Sequence, residues 1–157
     1  MANRKSIVLL PLLFFFMQSF AQQPVEWSFY TKKIKDGKYE IHLSATIDKG
    51  WGLVSRFSAA DNVFEPAVIK LQPLKNVRFS KEHAEQGILL KKRDAIRNIS
   101  IKYFESNADF IITASSSATQ KESLQGTISY VAFNGTKVLP TFTVSFSVPI
   151  NNDPETQ

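Results

Sequence analysis

Asn134-Gly135 constrains this chain more than any other feature. It divides residues 124–150, LQGTISYVAFNGTKVLPTFTVSFSVPI, into two segments of strand character. Asn-Gly between strands is the strongest short-range hairpin signal, because a two-residue type I′ turn needs positive φ at both central positions. Beyond the turn the alternation is strict. Phe142, Val144, Phe146, Val148 and Ile150 face one way, and Thr141, Thr143, Ser145 and Ser147 face the other. A strand of that pattern has one face in a core and one in water. Before the turn, Ile128, Tyr130 and Ala132 alternate with Ser129, Val131 and Phe133.

A second hairpin is expected from residues 27–34 and 38–48, turning at Asp36-Gly37. In its second strand Tyr39, Ile41, Leu43, Ala45 and Ile47 point inward, while Glu40, His42, Ser44 and Thr46 point outward. Residues 55–65 read as a loop closed by Pro66. Short strands follow at 67–71, 77–79 and 88–90, and residues 81–86 suit one helical turn, with Ser80 as cap and Gly87 as stop. Residues 99–104 and 109–115 supply further strands. Eight or nine short strands at this spacing, with no long helix, predict an all-β sandwich. Tyr39, Ile41, Leu43, Phe142, Val144 and Phe146 are the expected core, joined by Trp27 and Trp51.

Residues 1–21 have the pattern of a secretory signal: Arg4 and Lys5, an apolar run from Ile7 to Phe16, then Ser19-Phe20-Ala21. The apolar run falls short of the roughly 20 residues of a spanning helix. Cleavage after Ala21 is therefore expected, and Gln22 stands where a lipid-modified cysteine would be. The expected product is soluble, periplasmic or secreted, with a domain over 22–150 and a disordered polar tail over 151–157. Of the 157 residues 43% are apolar, enough for a core without disulfides. Net charge is +5, or +3 once Arg4 and Lys5 leave with the leader. Lys32-Lys33-Lys35 and Lys91-Lys92-Arg93 read as solvated strand faces, with contact to anionic lipid or polysaccharide as the lesser alternative, no nucleic-acid partner expected and no membrane association expected after cleavage.

The hairpin carries a family resemblance. Tyr130-Val131-Ala132-Phe133-Asn134 followed by Leu139-Pro140 resembles the active-site hairpin of the amino-terminal periplasmic domain of the thiol–disulfide interchange protein DsbD. Lys49-Gly50-Trp51 and the segment 94–104 resemble the same family, although Gly52 and Val54 depart from its usual polar or aromatic pair. The resemblance implies an immunoglobulin-like sandwich. It places the family's two cysteines at Phe133 and Val138, and the aromatic that caps them at Arg97. The chain contains no cysteine at all. A thiolate is the obligatory nucleophile of disulfide exchange, so the resemblance comes without the family's chemistry.

Other chemistry finds little support. His42 and His83 read as surface residues, and no metal site is expected from two histidines without cysteine. No serine lies in a Gly-x-Ser-x-Gly turn. Asp61, Glu65 and Asp94 could supply paired carboxylates, but no spacing selects them, and no Gly-rich phosphate loop occurs. Asn98-Ile99-Ser100 and Asn134-Gly135-Thr136 match the glycosylation sequon. The expectation is an exported, non-catalytic binding or adaptor module without cofactor. Its expected contact surface is Phe133, Asn134, Gly135, Val138 and Arg97, and its expected partner an exported or redox-pathway protein. An accessory role in thiol–disulfide exchange or cytochrome c maturation is one alternative, and a glycan- or lipid-binding sandwich is another. Phe133 itself is read as a packed satellite aromatic in preference to an exposed tip.

Overall fold

The computed structural model describes residues 23–117 and 121–150; the expected leader and tail lie outside them. Among the described residues eleven strands form: β1 (Val25–Lys35), β2 (Lys38–Ile47), β3 (Gly52–Val54), β4 (Val68–Leu71), β5 (Val77–Gln86), β6 (Leu89–Asp94), β7 (Ile99–Phe104), β8 (Asn107–Ser116), β9 (Glu122–Tyr130), β10 (Ala132–Phe133) and β11 (Phe142–Ile150). All pairings are antiparallel. The first sheet runs β1-β2-β8-β5, the second β10-β3-β7-β6 and the third β11-β9-β4. Only Val131 separates β9 from β10, so one chain segment runs from the third sheet into the second, and residues of both pack with the first sheet in one buried cluster. This is the expected all-β, immunoglobulin-like sandwich.

The alternation in β2 produces the core. Tyr39, Ile41, Leu43, Ala45 and Ile47 are all buried, against Phe110, Ile112 and Ala114 of the neighbouring β8. Leu53, Phe104, Leu124, Ile128 and Tyr130 meet them from the other layer in one cluster. Each such side chain contributes about 1.5–3 kcal/mol of burial, most of it offset by lost chain entropy. Rings span the gap: Trp27 to Tyr130 at 5.3 Å, Phe104 to Phe110 at 6.1 Å and Phe29 to Phe146 at 4.9 Å between centroids. Thr31 Oγ1 donates to the Pro149 carbonyl at 2.7 Å and ties β1 to β11 along one side.

The β1–β2 turn falls at Asp36-Gly37 as expected. Gly37 has φ 67°, and a Cβ there would sit 2.9 Å from the Ser116 carbonyl oxygen. Both facts require glycine. Four expectations are corrected. Phe142 and Val144 are only partly buried, as are Trp27 and Trp51, all packed against the core from its margin. The helical turn over 81–86 does not form, because those residues pair with β8 from His83↔Ile112 to Gln86↔Asp109. His42 is 7% exposed, not a solvent-facing histidine, because Tyr30 stacks on its ring at 4.6 Å. Its Nδ1 lies 2.6 Å from Asp109 Oδ2. His83 is half-buried, in contact with Arg56.

Candidate functional site

The 133–138 loop does not form the expected turn. Neither Asn134 nor Gly135 has positive φ. The Asn134 side chain organises the loop instead. Its Oδ1 accepts from the Thr136 and Lys137 amides at 3.1 and 2.8 Å, and its own amide donates to the Lys137 carbonyl at 2.8 Å. Asparagine thus acts through a local side-chain turn, and not through left-handed backbone. The consequence is register. Phe133 is bridged to Val138, not to Thr136 as a two-residue turn would require. One extra residue is then accommodated between Val138 and Phe142, which pairs with Tyr130. Pro140 sits in that bulge, where its missing N–H costs no ladder bond.

Phe133 is 5% exposed and packs with Val54, Phe64, Ile101 and Val131 in a second apolar cluster, outside the main core. The cluster is covered by the loop leading from β3 to β4. Phe64 meets Phe133 edge-on at 5.3 Å and 88°, and Tyr103 meets it at 5.1 Å and 68°. The Phe133 ring also lies across its strand partner Gly52, where a Cβ would approach Phe133 Cε1 and Cζ to 3.0 Å. Phe133 is therefore internal and presents no apolar tip. Asn134 and Val138 are half-buried, and Gly135 is exposed.

Arg97 reaches this cluster through Phe64. Its guanidinium carbon lies 5.7 Å from the Phe64 ring centroid, within cation–π range. Arg97 Nη1 binds Asp94 Oδ2 at 2.9 Å, and Nε lies 3.5 Å from Asp61 Oδ2. The other oxygen of each carboxylate holds a turn. Asp61 Oδ1 accepts from the Val63 and Phe64 amides at 2.8 and 2.6 Å. Asp94 Oδ1 accepts from the Ile96 and Arg97 amides at 3.0 and 2.9 Å. These bonds hold the Asp94 carboxyl below its ordinary range, the Arg97 amide first among them. Glu65 joins neither aspartate; its Oε2 accepts from Thr141 Oγ1 at 2.6 Å. The three carboxylates are thus structural pins, not an acid–base pair.

The covering loop is also anchored at its start. Ser55 is fully buried, its Oγ donates to Glu85 Oε2 at 2.7 Å, and the Arg56 amide donates to Glu85 Oε1 at 2.9 Å. Arg56 also contacts His83, and burial followed by that positive charge pulls the His83 pKa down. Beside the loop a cleft of about 290 Å³ opens between Asn62, Val63 and Glu65 on one wall and Val138, Leu139, Pro140 and Thr141 on the other. Among the described residues no group of histidines and carboxylates converges on a metal site.

The sandwich as a whole matches known structures. The fold is that of the DsbD amino-terminal domain. The crystal structure of that domain from Neisseria meningitidis, in the reduced form, superposes with a TM-score of 0.50 over 80% of this chain and 86% of the DsbD chain, at 10% identity. The N-terminal periplasmic domain of ScsB from Proteus mirabilis superposes with a TM-score of 0.51 over 82% of this chain, at 13% identity; there the match spans 45% of the other chain. No protein-family model and no curated protein matches the sequence.

Phe133 and Val138 are adjacent partners, and Arg97 lies over the cluster with Phe64 between it and Phe133. Phe64 and Tyr103, which enclose Phe133, were not singled out from sequence. The one local signal was Asp61 three residues before Phe64, an Asx turn leading an aromatic out of a polar loop.

Proposed function

We propose that this chain is an exported, non-catalytic docking module on the DsbD amino-terminal fold, serving as an accessory in a thiol–disulfide pathway. The observation that carries the reading is the Phe133–Val138 bridge. Positions that the DsbD resemblance assigns to cysteine stand face to face, and the frame of Tyr130, Leu139 and Pro140 persists around them. A thiol pair would be placed to react there, but apolar side chains fill both positions. The module contacts its partner through Asn134, Gly135, Val138 and Arg97, with Phe133 as an internal brace.

A single cysteine tests this directly. In Val138→Cys the new thiol lies at the rim of the cleft. A redox partner that docks there should be captured as a mixed disulfide from the exported fraction, and Arg97→Glu in the same background should reduce capture several-fold. Equal capture by a cysteine placed at Thr46, an exposed strand position elsewhere, would refute a specific docking face.

A further inference from the structure

We infer that the free edge of β6 is a docking strand for an extended acidic segment of a partner protein. β6 ends the sheet order β10-β3-β7-β6, so among the described residues no strand lies beside one row of its main-chain donors and acceptors. Its sequence, LLKKRD, puts Lys91, Lys92 and Arg93 in succession along that edge, all exposed. The register with β7 sets Lys91 directly opposite Lys102, and like charges in that relation repel. Among the described residues no carboxylate is ion-paired with any of these four cations. Arg93 donates only to a neutral acceptor, Asn98 Oδ1, at 2.8 Å. Apolar contact is available at the start of the strand, where Ile88 and Leu89 are 76% and 47% exposed.

These features select the occupant. A second copy of the chain paired along β6 would oppose cations with cations, so self-association is disfavoured. A polyanion would satisfy the charges but leave the open main chain unused. A strand carrying carboxylates meets both needs at once. It extends the sheet through backbone hydrogen bonds and relieves the Lys91–Lys102 repulsion. This surface is separate from the 133–138 loop and stands or falls without the docking role proposed for it.

The probe is a terminally blocked peptide of about eight residues alternating glutamate and valine, titrated into the nitrogen-15-labelled full chain. Amide shift changes should concentrate in β6 and β7, and binding should weaken steeply with salt. Lys91→Glu with Lys92→Glu should weaken binding about tenfold or more. The decisive arm leaves the protein untouched: the same peptide is N-methylated at every second amide, in each of the two registers. One register should lose binding about tenfold, because it removes the donors that face the edge. Unchanged binding by both methylated peptides overturns the proposal, as do shift changes away from β6. Dimerisation along β6, or occupation of β6 by a sulfated polysaccharide or anionic vesicles but not by the peptide, overturns it equally.

Discussion

Phe133 and Val138 are direct antiparallel partners, flanked by hydrogen bonds from the Leu139 amide to the Ala132 carbonyl at 2.9 Å and from the Asn134 amide to the Lys137 carbonyl at 2.8 Å. Those flanking bonds make them a non-hydrogen-bonded pair, whose Cα atoms stand about 4.5 Å apart. That separation lies within the span of a disulfide. Phe133→Cys with Val138→Cys should therefore close a bridge on air oxidation, seen as a mass lower by two hydrogens and loss of free thiol. The ring removed from the cluster costs about 3–5 kcal/mol, and so short a loop returns about 2 kcal/mol. The oxidised variant should unfold at lower urea than the wild type, and its reduced form lower still.

Core substitutions should separate the two kinds of apolar position on the last hairpin. Ile128 is fully buried, whereas Val144, its partner across β9 and β11, packs at the margin beside Trp27. Ile128→Ala should cost about 2–5 kcal/mol, and Val144→Ala about 1 kcal/mol or less, in urea denaturation. Equal losses would show that the margin is as tightly packed as the centre.

That contrast shows what was legible. Strand identity and face were readable in β2 and β11, where alternation is long and unbroken. The residues from Ser80 to Gln86 misled because their helix-forming composition and serine signal were real but local. The Glu82 amide does donate to Ser80 Oγ at 3.1 Å, yet this bond sits in a β-bulge between Phe79 and His83 while β8 supplies the ladder. Pairing at long range outweighed local propensity. The turn at Asn134 was placed correctly but typed wrongly, because asparagine can serve a turn through backbone or side chain. The second apolar cluster was illegible, since it joins Phe64 to Phe133 across 69 positions and no periodicity links them.

Gly52 is predicted to be intolerant of any side chain while Phe133 is present. A Cβ would meet Tyr103 Cδ2 at 2.9 Å and Phe133 at 3.0 Å. Gly52→Ala should cost about 1–3 kcal/mol from overpacking. In a Phe133→Ala background the same change should cost less, because two of the three closest atoms belong to the lost ring and only the Tyr103 contact stays. A double-mutant cycle with no coupling between the two positions would contradict the packing described.

Acid should loosen the fold in two windows. His83 has a lowered pKa, so its neutral form is favoured in the folded state. Stability from that source is present above the ordinary histidine value of about 6.5 and is lost as pH falls through the lower folded value. Asp94 is likewise lowered, so its contribution persists through mild acid and disappears only below the ordinary carboxylate range. Urea midpoints measured against pH should fall on the acid side, with His83→Gln flattening the first step and Asp94→Asn the second.

The Phe133 ring over Gly52 also bears on how such a chain could change by mutation. A thiol pair at this hairpin needs two substitutions, and neither intermediate is neutral. Cysteine at 133 alone opens a hole beneath Phe64, and cysteine at 138 alone leaves an unpaired reactive thiol at the rim of the cleft. The space freed by the lost ring would also ease the restriction at position 52, leaving Tyr103 as the remaining obstacle to a side chain there. A residue accepted there would then crowd any aromatic that returned to position 133. Packing around Phe133 thus opposes single substitutions at this hairpin in both directions.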